Sequence, residues 1–287
     1  MNCAMKIPDI LQEASDILLR NGVLEPRREA SLLLAATLQK NKTFLIAHPE
    51  YEPEKDEVSL FRSFIARRAG REPFHYITGV KEFYGFDFEV SPDVLIPRPE
   101  TEMLVGNSIA ILHERDRPGF CEVGIGSGCI SVSILVKVEF ATATGVDISE
   151  KALKIAKSNA EKHSVIDRLE LRHSDIFTAL SAESFDLIVS NPPYIPKKDM
   201  PGLQREVRDF EPHIALSDDG DGLAKIDLIV RQSPKFLKPG GFLVMEMGIG
   251  QETAVKAMFE NNNWESVEIL PDFQGIPRMV RARIRFN

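Results

Sequence analysis

The chain of 287 residues is 43% hydrophobic and 27% charged, a composition that excludes collagen, wholesale disorder and a disulfide scaffold. Its 43 acidic and 35 basic side chains give a net charge of −8, which argues against strong non-specific binding to nucleic acid. The three cysteines form no CxxC pair and the six histidines show no metal-binding spacing, so we expect a reducing compartment and no metal.

Neither a membrane span nor a signal peptide is expected. Charged residues interrupt each apolar run well short of the about 20 residues that a membrane helix needs. The N-terminal stretch meets acidic residues too early to form the apolar core of a signal peptide. We therefore expect a cytoplasmic protein of about two domains, a monomer without membrane attachment or a stable nucleic-acid partner.

Residues 1–72 are predicted to form a small helical domain. Apolar residues recur at helical spacing from Ile7 to Leu18, and Asn21 with the following glycine marks the end of that helix. A second helix is predicted to begin at Pro26 and a third to span Asp56 to Ala69. The domain carries no catalytic constellation, which favours a role in interaction or support.

Residues 73–98 are predicted to form a linker. Aromatic and β-branched residues, punctuated by Gly79 and Gly85, predict a β-hairpin over residues 74–96. Three prolines near its end restrict the backbone, which indicates a shaped connector.

Residues 99–287 alternate between helical and strand patterns. After a helix from Thr101 to His113, the predicted strands read CEV, TATGVD, LELRH, FDLIVS and FLVMEM, followed by Trp264–Leu270 and Met279–Arg285. The predicted helices read CISVSILVKV, SEKALKIAKSNAEKH, Ala224–Phe236 and QETAVKAMFENN. This order predicts an α/β fold with a mostly parallel sheet, helices on both faces, and ligands at the carboxyl ends of the strands.

A glycine loop follows the first of these strands. Gly124, Gly126 and Gly128 give the spacing GxGxG between a strand and a helix. Glycine permits positive φ and close approach to a ligand, and the helix N-terminus offers N–H donors. Cys129 stands where a dinucleotide fingerprint needs its third glycine, and no P-loop motif is present.

Acidic residues end the next two strands. Asp147 ends TATGVD, where it could accept ribose hydroxyls or cap the following helix; the glycine loop before it favours ribose. Asp175 follows LELRH and could accept an adenine amine beside Ile176 as an apolar wall, or be an ordinary loop residue. The sequence leaves both alternatives for Asp175 open.

The sequence NPPY follows the strand FDLIVS. Pro192 and Pro193 fix φ and lack N–H donors, so an Asn191 side-chain oxygen and a proline carbonyl could accept both hydrogens of a planar –NH₂ group. Acceptors placed where the N–H groups point as nitrogen pyramidalises stabilise the transition state. Tyr194 could stack on the flat group. The alternative, a turn that only ends a strand, is disfavoured by the whole motif.

Two further regions leave their roles open. The segment from Ile195 to Gly222 lacks periodicity and is either a substrate-side cover, with Glu211 and Pro212 as contacts, or a surface insertion. Arg98, Thr101 and Glu102 either line the mouth of the pocket or fasten the connector.

The GxGxG loop, the acidic residue at the end of TATGVD and the NPPY motif together resemble those of a class I S-adenosylmethionine-dependent amino-methyltransferase. The stretch REPFHYITGVKEFYGFDFEVSPDVLIPRPETE narrows the resemblance to the HemK/PrmC family, the peptide chain release factor glutamine methyltransferases. The resemblance extends from about Arg71 onward. It implies a Rossmann-like domain with a seven-stranded sheet, preceded by helices that dock the release factor.

The resemblance also implies the reaction, which is methylation of the side-chain amide nitrogen (N5) of the glutamine in the Gly-Gly-Gln motif of release factors. The product is S-adenosylhomocysteine, with no metal and no general base. The clasp for the amide would be Asn191, Pro192, Pro193 and Tyr194. The cofactor would be bound by Gly124, Ile125, Gly126, Ser127, Gly128, Asp147, Asp175, Ile176 and Asn191. Glu122 stands where the family commonly has Asp, and Ile125 where it has Thr or another small residue.

Two other functions remain as alternatives. A nucleic-acid adenine N6-methyltransferase would use the same amine grip on a flipped base, but it should carry a basic recognition region. A non-catalytic scaffold with a methyltransferase fold would be expected to lose Asn191 or the glycines, and all are intact.

Overall fold

The computed structural model describes residues 5–260, 263–272 and 274–286. The chain divides into two compact units, one of Met1–Gly79 with Gln204–Phe210 and the other of Val80–Leu203 with Glu211–Asn287. The α-helices are α1 (Ile7–Arg20), α2 (Pro26–Thr37), α3 (Lys42–Ala47), α4 (Lys55–Ala69), α5 (Phe74–Thr78), α6 (Glu102–His113), α7 (Cys129–Lys137), α8 (Glu150–Lys162), α9 (Arg205–Phe210), α10 (His213–Leu216), α11 (Ala224–Gln232) and α12 (Glu252–Ala257). The strands are β1 (Val80–Phe83), β2 (Phe86–Glu89), β3 (Gly119–Val123), β4 (Thr142–Asp147), β5 (Leu169–His173), β6 (Phe185–Ser190), β7 (Leu237–Glu246), β8 (Trp264–Pro271) and β9 (Pro277–Ile284). Short 3-10 helices lie at Pro99–Thr101, Ile166–Arg168, Lys197–Gly202 and Ser233–Lys235.

The first unit is helical, and its core is formed by the apolar faces of α1, α2 and α4. Leu18, Leu33 and Phe61 are buried there at 1% exposure or less. A buried ion cluster joins α4 to α9, since Arg68 donates to Glu206 at 3.1 Å and also pairs with Glu29. Burial would raise the pKa of Glu206, but hydrogen bonds from Arg71 and Arg68 outweigh it and lower the pKa.

The second unit is built on a seven-stranded mixed sheet with the order β5-β4-β3-β6-β7-β9-β8. Strands β3 to β7 pair in parallel, whereas β9 runs antiparallel to β7 and β8. All six residues of the central strand β6 are buried, as expected for a strand covered by helices on both faces. The order reverses between β3 and β6, which places the expected ligand site at their carboxyl ends. The predicted α/β class and mostly parallel sheet are confirmed.

The hairpin β1–β2 belongs to the second unit. Its two-residue turn has positive φ at Tyr84 (54°) and Gly85 (81°), the geometry that matches the twist of paired strands. Asn159 of α8 fastens the hairpin, because its side chain exchanges hydrogen bonds with the backbone of Glu89. The same Asn159 amide donates to the carbonyl of Ser127 at 2.9 Å, which links the hairpin to the glycine loop.

The structure differs from the sequence prediction in several short segments. The predicted hairpin over 74–96 is too long, because Phe74–Thr78 is the helix α5 and pairing is confined to Val80–Glu89. The predicted helix Ala224–Phe236 ends at Gln232, since Pro234 cannot continue it. Helices α3, α9 and α10 were not predicted. The predicted helix QETAVKAMFENN is α12 in its first part, and its last two residues lie outside the described residues.

Candidate active site

A cavity of the second unit lies at the carboxyl ends of β3, β4, β5 and β6. The segments that follow these four strands line it. Ser190 of β6 holds the two central strand ends together, because its hydroxyl donates to the Val123 carbonyl at 2.7 Å. The motifs singled out in the sequence therefore meet in one cavity.

The glycine loop forms one wall of this cavity through Gly124, Ile125, Gly126 and Ser127. Gly124, Gly126 and Gly128 have φ of 75°, 55° and 79°, values that side chains disfavour. Gly128 is the N-cap of α7 and packs on α8, where an added Cβ would lie 3.3 Å from Ala156. Among the described residues, the cavity wall does not include Gly128, so its contribution is to the shape of the loop.

Asp147 lines the cavity at the end of β4 and holds the glycine loop. One carboxylate oxygen accepts from the Gly126 N–H at 2.9 Å, and the other accepts from the Ser149 N–H at 2.9 Å. The side chain that caps α8 is that of Ser149, which accepts from Ala152 N. Burial raises the pKa of Asp147, and these backbone hydrogen bonds partly counter it. Each carboxylate oxygen has a second lone pair that can accept a hydroxyl from a ligand.

Glu122 lies at the base of the cavity, 1% exposed. Its carboxyl group turns toward the first turn of α7 and accepts from both the N–H (2.9 Å) and the hydroxyl of Ser131. Burial raises the pKa of Glu122 to about 8, with Ser131 acting in the opposite direction and the Asp147 charge adding to the rise. The Glu122 side chain, which is longer than the aspartate common in the family, therefore reaches the N-terminus of α7 and accepts from a backbone N–H of its first turn.

Ile176 and Asp175 form the wall beyond β5. Ile176 has φ of 54°, a strained conformation for a β-branched residue, and Ser174 holds it by donating to its carbonyl at 2.9 Å. Asp175 accepts from Lys225 Nζ at 2.9 Å. Lys225 also lines the cavity and was not found from the sequence; its place on α11, far along the chain, gave no local signal.

Asn191, Pro192 and Pro193 line the cavity directly after β6. The Asn191 Nδ2 atom donates to Thr101 Oγ1 at 3.1 Å, which leaves its Oδ1 as the acceptor end of the amide. Among the described residues, the wall does not include Tyr194. The Tyr194 ring packs against an apolar cluster that includes Leu243 and Met245 of β7, and its hydroxyl donates to Glu246 at 2.9 Å.

Glu246, at the end of β7, was missed by the sequence analysis. It is 1% exposed and accepts from two hydroxyls, Thr101 Oγ1 at 2.7 Å and Tyr194 Oη at 2.9 Å. Burial raises its pKa, and the two hydroxyl hydrogen bonds oppose the rise. The available signal in the sequence was an acidic residue at the end of the apolar strand pattern FLVMEM. Gln251 also holds Tyr194, since its side-chain amide donates to the Tyr194 carbonyl at 3.0 Å.

The connector and the segment after β6 also contribute to the cavity. Arg98 and Thr101 line it, whereas Glu102 accepts from the Tyr84 N–H at 3.0 Å. Glu211 is buried, accepting from Arg98 at 2.6 Å and from the Ile96 N–H at 3.3 Å. Burial raises the pKa of Glu211 and Arg98 opposes this. The wall continues through Pro212, Ile214 and Ala215 of the predicted cover.

Across 5–260, 263–272 and 274–286, no group of three or more His, Cys, Asp or Glu side chains is arranged to hold a metal ion. Within those same residues, every helix is too short or too polar to span a membrane.

Comparison with known proteins gives several matches. The family model of the PrmC N-terminal domain matches residues 9–79, and that of the methyltransferase small domain matches residues 107–205. A protein from Geobacter sulfurreducens named release factor glutamine methyltransferase is 40% identical over 97% of this chain and 96% of its own length. A protein of the same name from Koribacter versatilis is 40% identical over 90% of this chain and 91% of its own.

The solved structures include a methyltransferase from Pyrococcus furiosus that is 17% identical, with a TM-score of 0.50 over 71% of this chain and 91% of that one. At this identity the likeness concerns the fold alone. It agrees with the Rossmann-like methyltransferase sheet that the resemblance in the sequence implied.

Proposed function

Because the chain belongs to the family of release factor glutamine methyltransferases, we propose that it methylates the side-chain amide nitrogen (N5) of the glutamine in the Gly-Gly-Gln motif of release factors. The observation that carries the proposal is the 40% identity to the Geobacter sulfurreducens protein over 96% of that protein. The predicted family is confirmed, and the chain is an enzyme of the methyltransferase class. The methyl donor in this proposal is S-adenosylmethionine.

The cavity has the features that this donor requires. Gly124 and Gly126 have positive φ, and apart from their chain neighbours no atom of the described residues lies within 4 Å of a Cβ added to either, so the backbone can approach a ligand closely. Asp147 can accept ribose hydroxyls with its second lone pairs while it holds the glycine loop. The strained Ile176 offers an apolar surface for the adenine, beside Asp175. We assign Ile125, Ser127 and Gly128 to the same binding loop.

The acceptor amide would be held by Asn191 and the two prolines. When bound, the donor supplies an electrophilic methyl group on a sulfonium. An amide nitrogen is a poor nucleophile while its lone pair is delocalised, so its two hydrogens must be held out of the amide plane. In this proposal Asn191 Oδ1 and the Pro192 carbonyl accept these two hydrogens and stabilise the pyramidal transition state more than the ground state.

The chain supplies a clasp and needs no general base in this proposal. The N–H proton becomes acidic only as nitrogen gains the methyl group, and it can then leave to water. Tyr194 would support the clasp through its backbone, which Gln251 fixes, and through its bond to Glu246. The helical domain, residues 1–72, and the linker, residues 73–98, would dock the folded release factor, because a lone glutamine offers little contact area.

The test is mass spectrometry of a purified release factor incubated with the protein and S-adenosylmethionine. We expect one methyl group on the Gly-Gly-Gln glutamine, and none on a release factor whose glutamine is replaced by alanine. In Asn191→Ala the turnover should fall about 10²- to 10³-fold, the cost of losing a transition-state acceptor, with the affinity for the cofactor little changed. Near-normal turnover in that variant would contradict the clasp.

A parallel incubation with adenine-containing DNA tests the alternative function, a nucleic-acid adenine N6-methyltransferase. Methyl transfer to adenine alone would replace the proposal with a nucleic-acid methyltransferase. Cofactor binding without transfer to either substrate would contradict both and favour a scaffold.

A further inference from the structure

A chain of hydrogen bonds runs from the end of β7 to the candidate clasp. Glu246 accepts from Thr101 Oγ1 at 2.7 Å, and the same oxygen of Thr101 accepts from Asn191 Nδ2 at 3.1 Å. On its other carboxylate oxygen, Glu246 accepts from Tyr194 at 2.9 Å. Asn191 and Thr101 line the cavity, whereas among the described residues the wall includes neither Glu246 nor Tyr194.

The direction of each hydrogen bond in this chain follows from the one before it. A threonine hydroxyl has one hydrogen, and Glu246 takes it. The oxygen of Thr101 then has only lone pairs to offer, so the end of the Asn191 amide that faces it must be the donor, –NH₂. The carbonyl Oδ1 is thereby assigned to the opposite end. If the Thr101 hydrogen were available, it could donate to Oδ1 instead, and the amide could adopt the reversed orientation at little cost.

We propose that Glu246 is a positioning residue that sets the orientation of the Asn191 amide through Thr101, so that an oxygen acceptor and not an N–H donor is presented to the substrate amide. This inference deepens the proposed function and rests on it for its catalytic consequence. A substrate –NH₂ group needs acceptors, and the reversed Asn191 would present two N–H groups to it. Because Glu246 is not among the described residues that line the cavity, its carboxylate acts through Thr101 and Asn191 without contacting the substrate.

The surroundings of Glu246 suit this role. Its side chain is 1% exposed, so water does not compete for its oxygens. The strand that carries it pairs in parallel with β6, with Ser190 opposite Met245. Glu246 ends β7 and Asn191 directly follows the last residue of β6, so the pairing of the two strands brings them near each other. Glu246 thus has a fixed separation from the clasp, which a loop residue would lack.

Glu246→Gln is the first test, because glutamine keeps the size but offers one acceptor to two hydroxyls. We expect kcat for glutamine methylation to fall about 10- to 100-fold, with the Kd for S-adenosylmethionine, from calorimetry, within about twofold of wild type. A structural defect would change cofactor binding as well. Wild-type turnover in this variant would overturn the inference, whereas a wild-type enzyme without product would overturn the proposed function instead.

The double variant Asn191→Ala/Glu246→Gln separates positioning from a general effect. If Glu246 acts through Asn191, adding Glu246→Gln to Asn191→Ala should lower turnover by less than about twofold. A further loss as large as that of Glu246→Gln alone would overturn the inference.

Two measurements do not depend on the folding of Glu246→Gln, and the second of them does not depend on turnover. Thr101→Val keeps the shape but removes the hydroxyl, and it should lose activity as Glu246→Gln does; Thr101→Ser should restore most of it. The side-chain amide protons of Asn191, identified by NMR from their absence in Asn191→Ala, should exchange with solvent faster in Thr101→Val than in wild type. Equal exchange would contradict the hydrogen bond even if the substrate assignment were wrong.

Discussion

Replacing Glu122 with glutamine should make the stability of the sheet unit less dependent on pH. The carboxyl group is buried at 1% exposure between β3 and the N-terminus of α7. Burial raises its pKa from 4.5 to about 8, with Ser131 opposing and the charge on Asp147 adding to the rise. Glutamine keeps an oxygen that can accept from Ser131 and removes the titrating group.

The sign and size follow from the raised pKa. The folded state binds the Glu122 proton more tightly than the unfolded state, in which the pKa is near 4.5. This contribution to stability is fully present below about pH 4.5 and is lost as pH rises through about 8. The free energy of unfolding changes by at most about 1.4 kcal/mol per pH unit within that window, and by less as pH approaches 8. About 2 kcal/mol should therefore be lost between about pH 6 and pH 8.

The assay is urea denaturation of wild type and Glu122→Gln across that pH range, followed by fluorescence. The chain has a single tryptophan, Trp264, which is buried on β8 of the same sheet and reports on its unfolding. Other buried carboxyl groups are present in both proteins, so they cancel in the difference. Glu139→Gln, at an exposed glutamate of the same unit, is the control and should track wild type. If the wild-type and Glu122→Gln curves ran parallel, the reasoning would be refuted.

Three other predictions test the glycine loop, the packing of α7 on α8 and the helical unit. Asp147→Asn replaces one of two oxygens that accept backbone N–H groups and should weaken S-adenosylmethionine binding about tenfold by calorimetry; an unchanged Kd would exclude it from the site. Gly128→Ala should lower the free energy of unfolding by about 2 kcal/mol and Gly250→Ala by about 1, because both have φ of 79° but only the first meets Ala156. Equal losses in thermal denaturation would rule out that contact. Glu206→Gln weakens the pairing with two arginines and should raise amide exchange in α9 about tenfold; unchanged protection would mean that the ion cluster does not hold this helix.

Local sequence patterns were enough to predict the fold class of this protein and several candidate site residues. The alternation of strands with helices predicted the parallel sheet because each periodicity reports which faces are buried, and that is a local property. The GxGxG spacing and the NPPY sequence could be recognised because each motif is contiguous, with its chemistry carried by adjacent residues. Asp147 and Asn191 were singled out in the same way, as polar residues at the end of one buried strand and directly after another.

Short segments were less predictable. Helices α3 and α9 have six residues each, too few to be stable on propensity alone, and tertiary contacts decide them. For α9 these contacts include the ion pairs of Glu206 with Arg68 and Arg71, far apart in the chain. Phe74–Thr78 has the aromatic composition of a strand but forms a helix packed within the helical unit.

The hydrogen-bond partners of Asn191 and Thr101 were decided by the tertiary structure alone. Thr101 lies 90 residues before Asn191 and 145 before Glu246, and each of these residues by itself looks like an ordinary helix-start or strand-end side chain. They meet because β7 pairs with β6 in a fixed register and because Thr101, at the end of the 3-10 helix before α6, lies within hydrogen-bond distance of both Glu246 and Asn191. The residue types that can do the chemistry are readable from the sequence, because each lies in a local motif. The orientation of the Asn191 amide is not, because strand order and register arise from hydrogen bonds between distant segments.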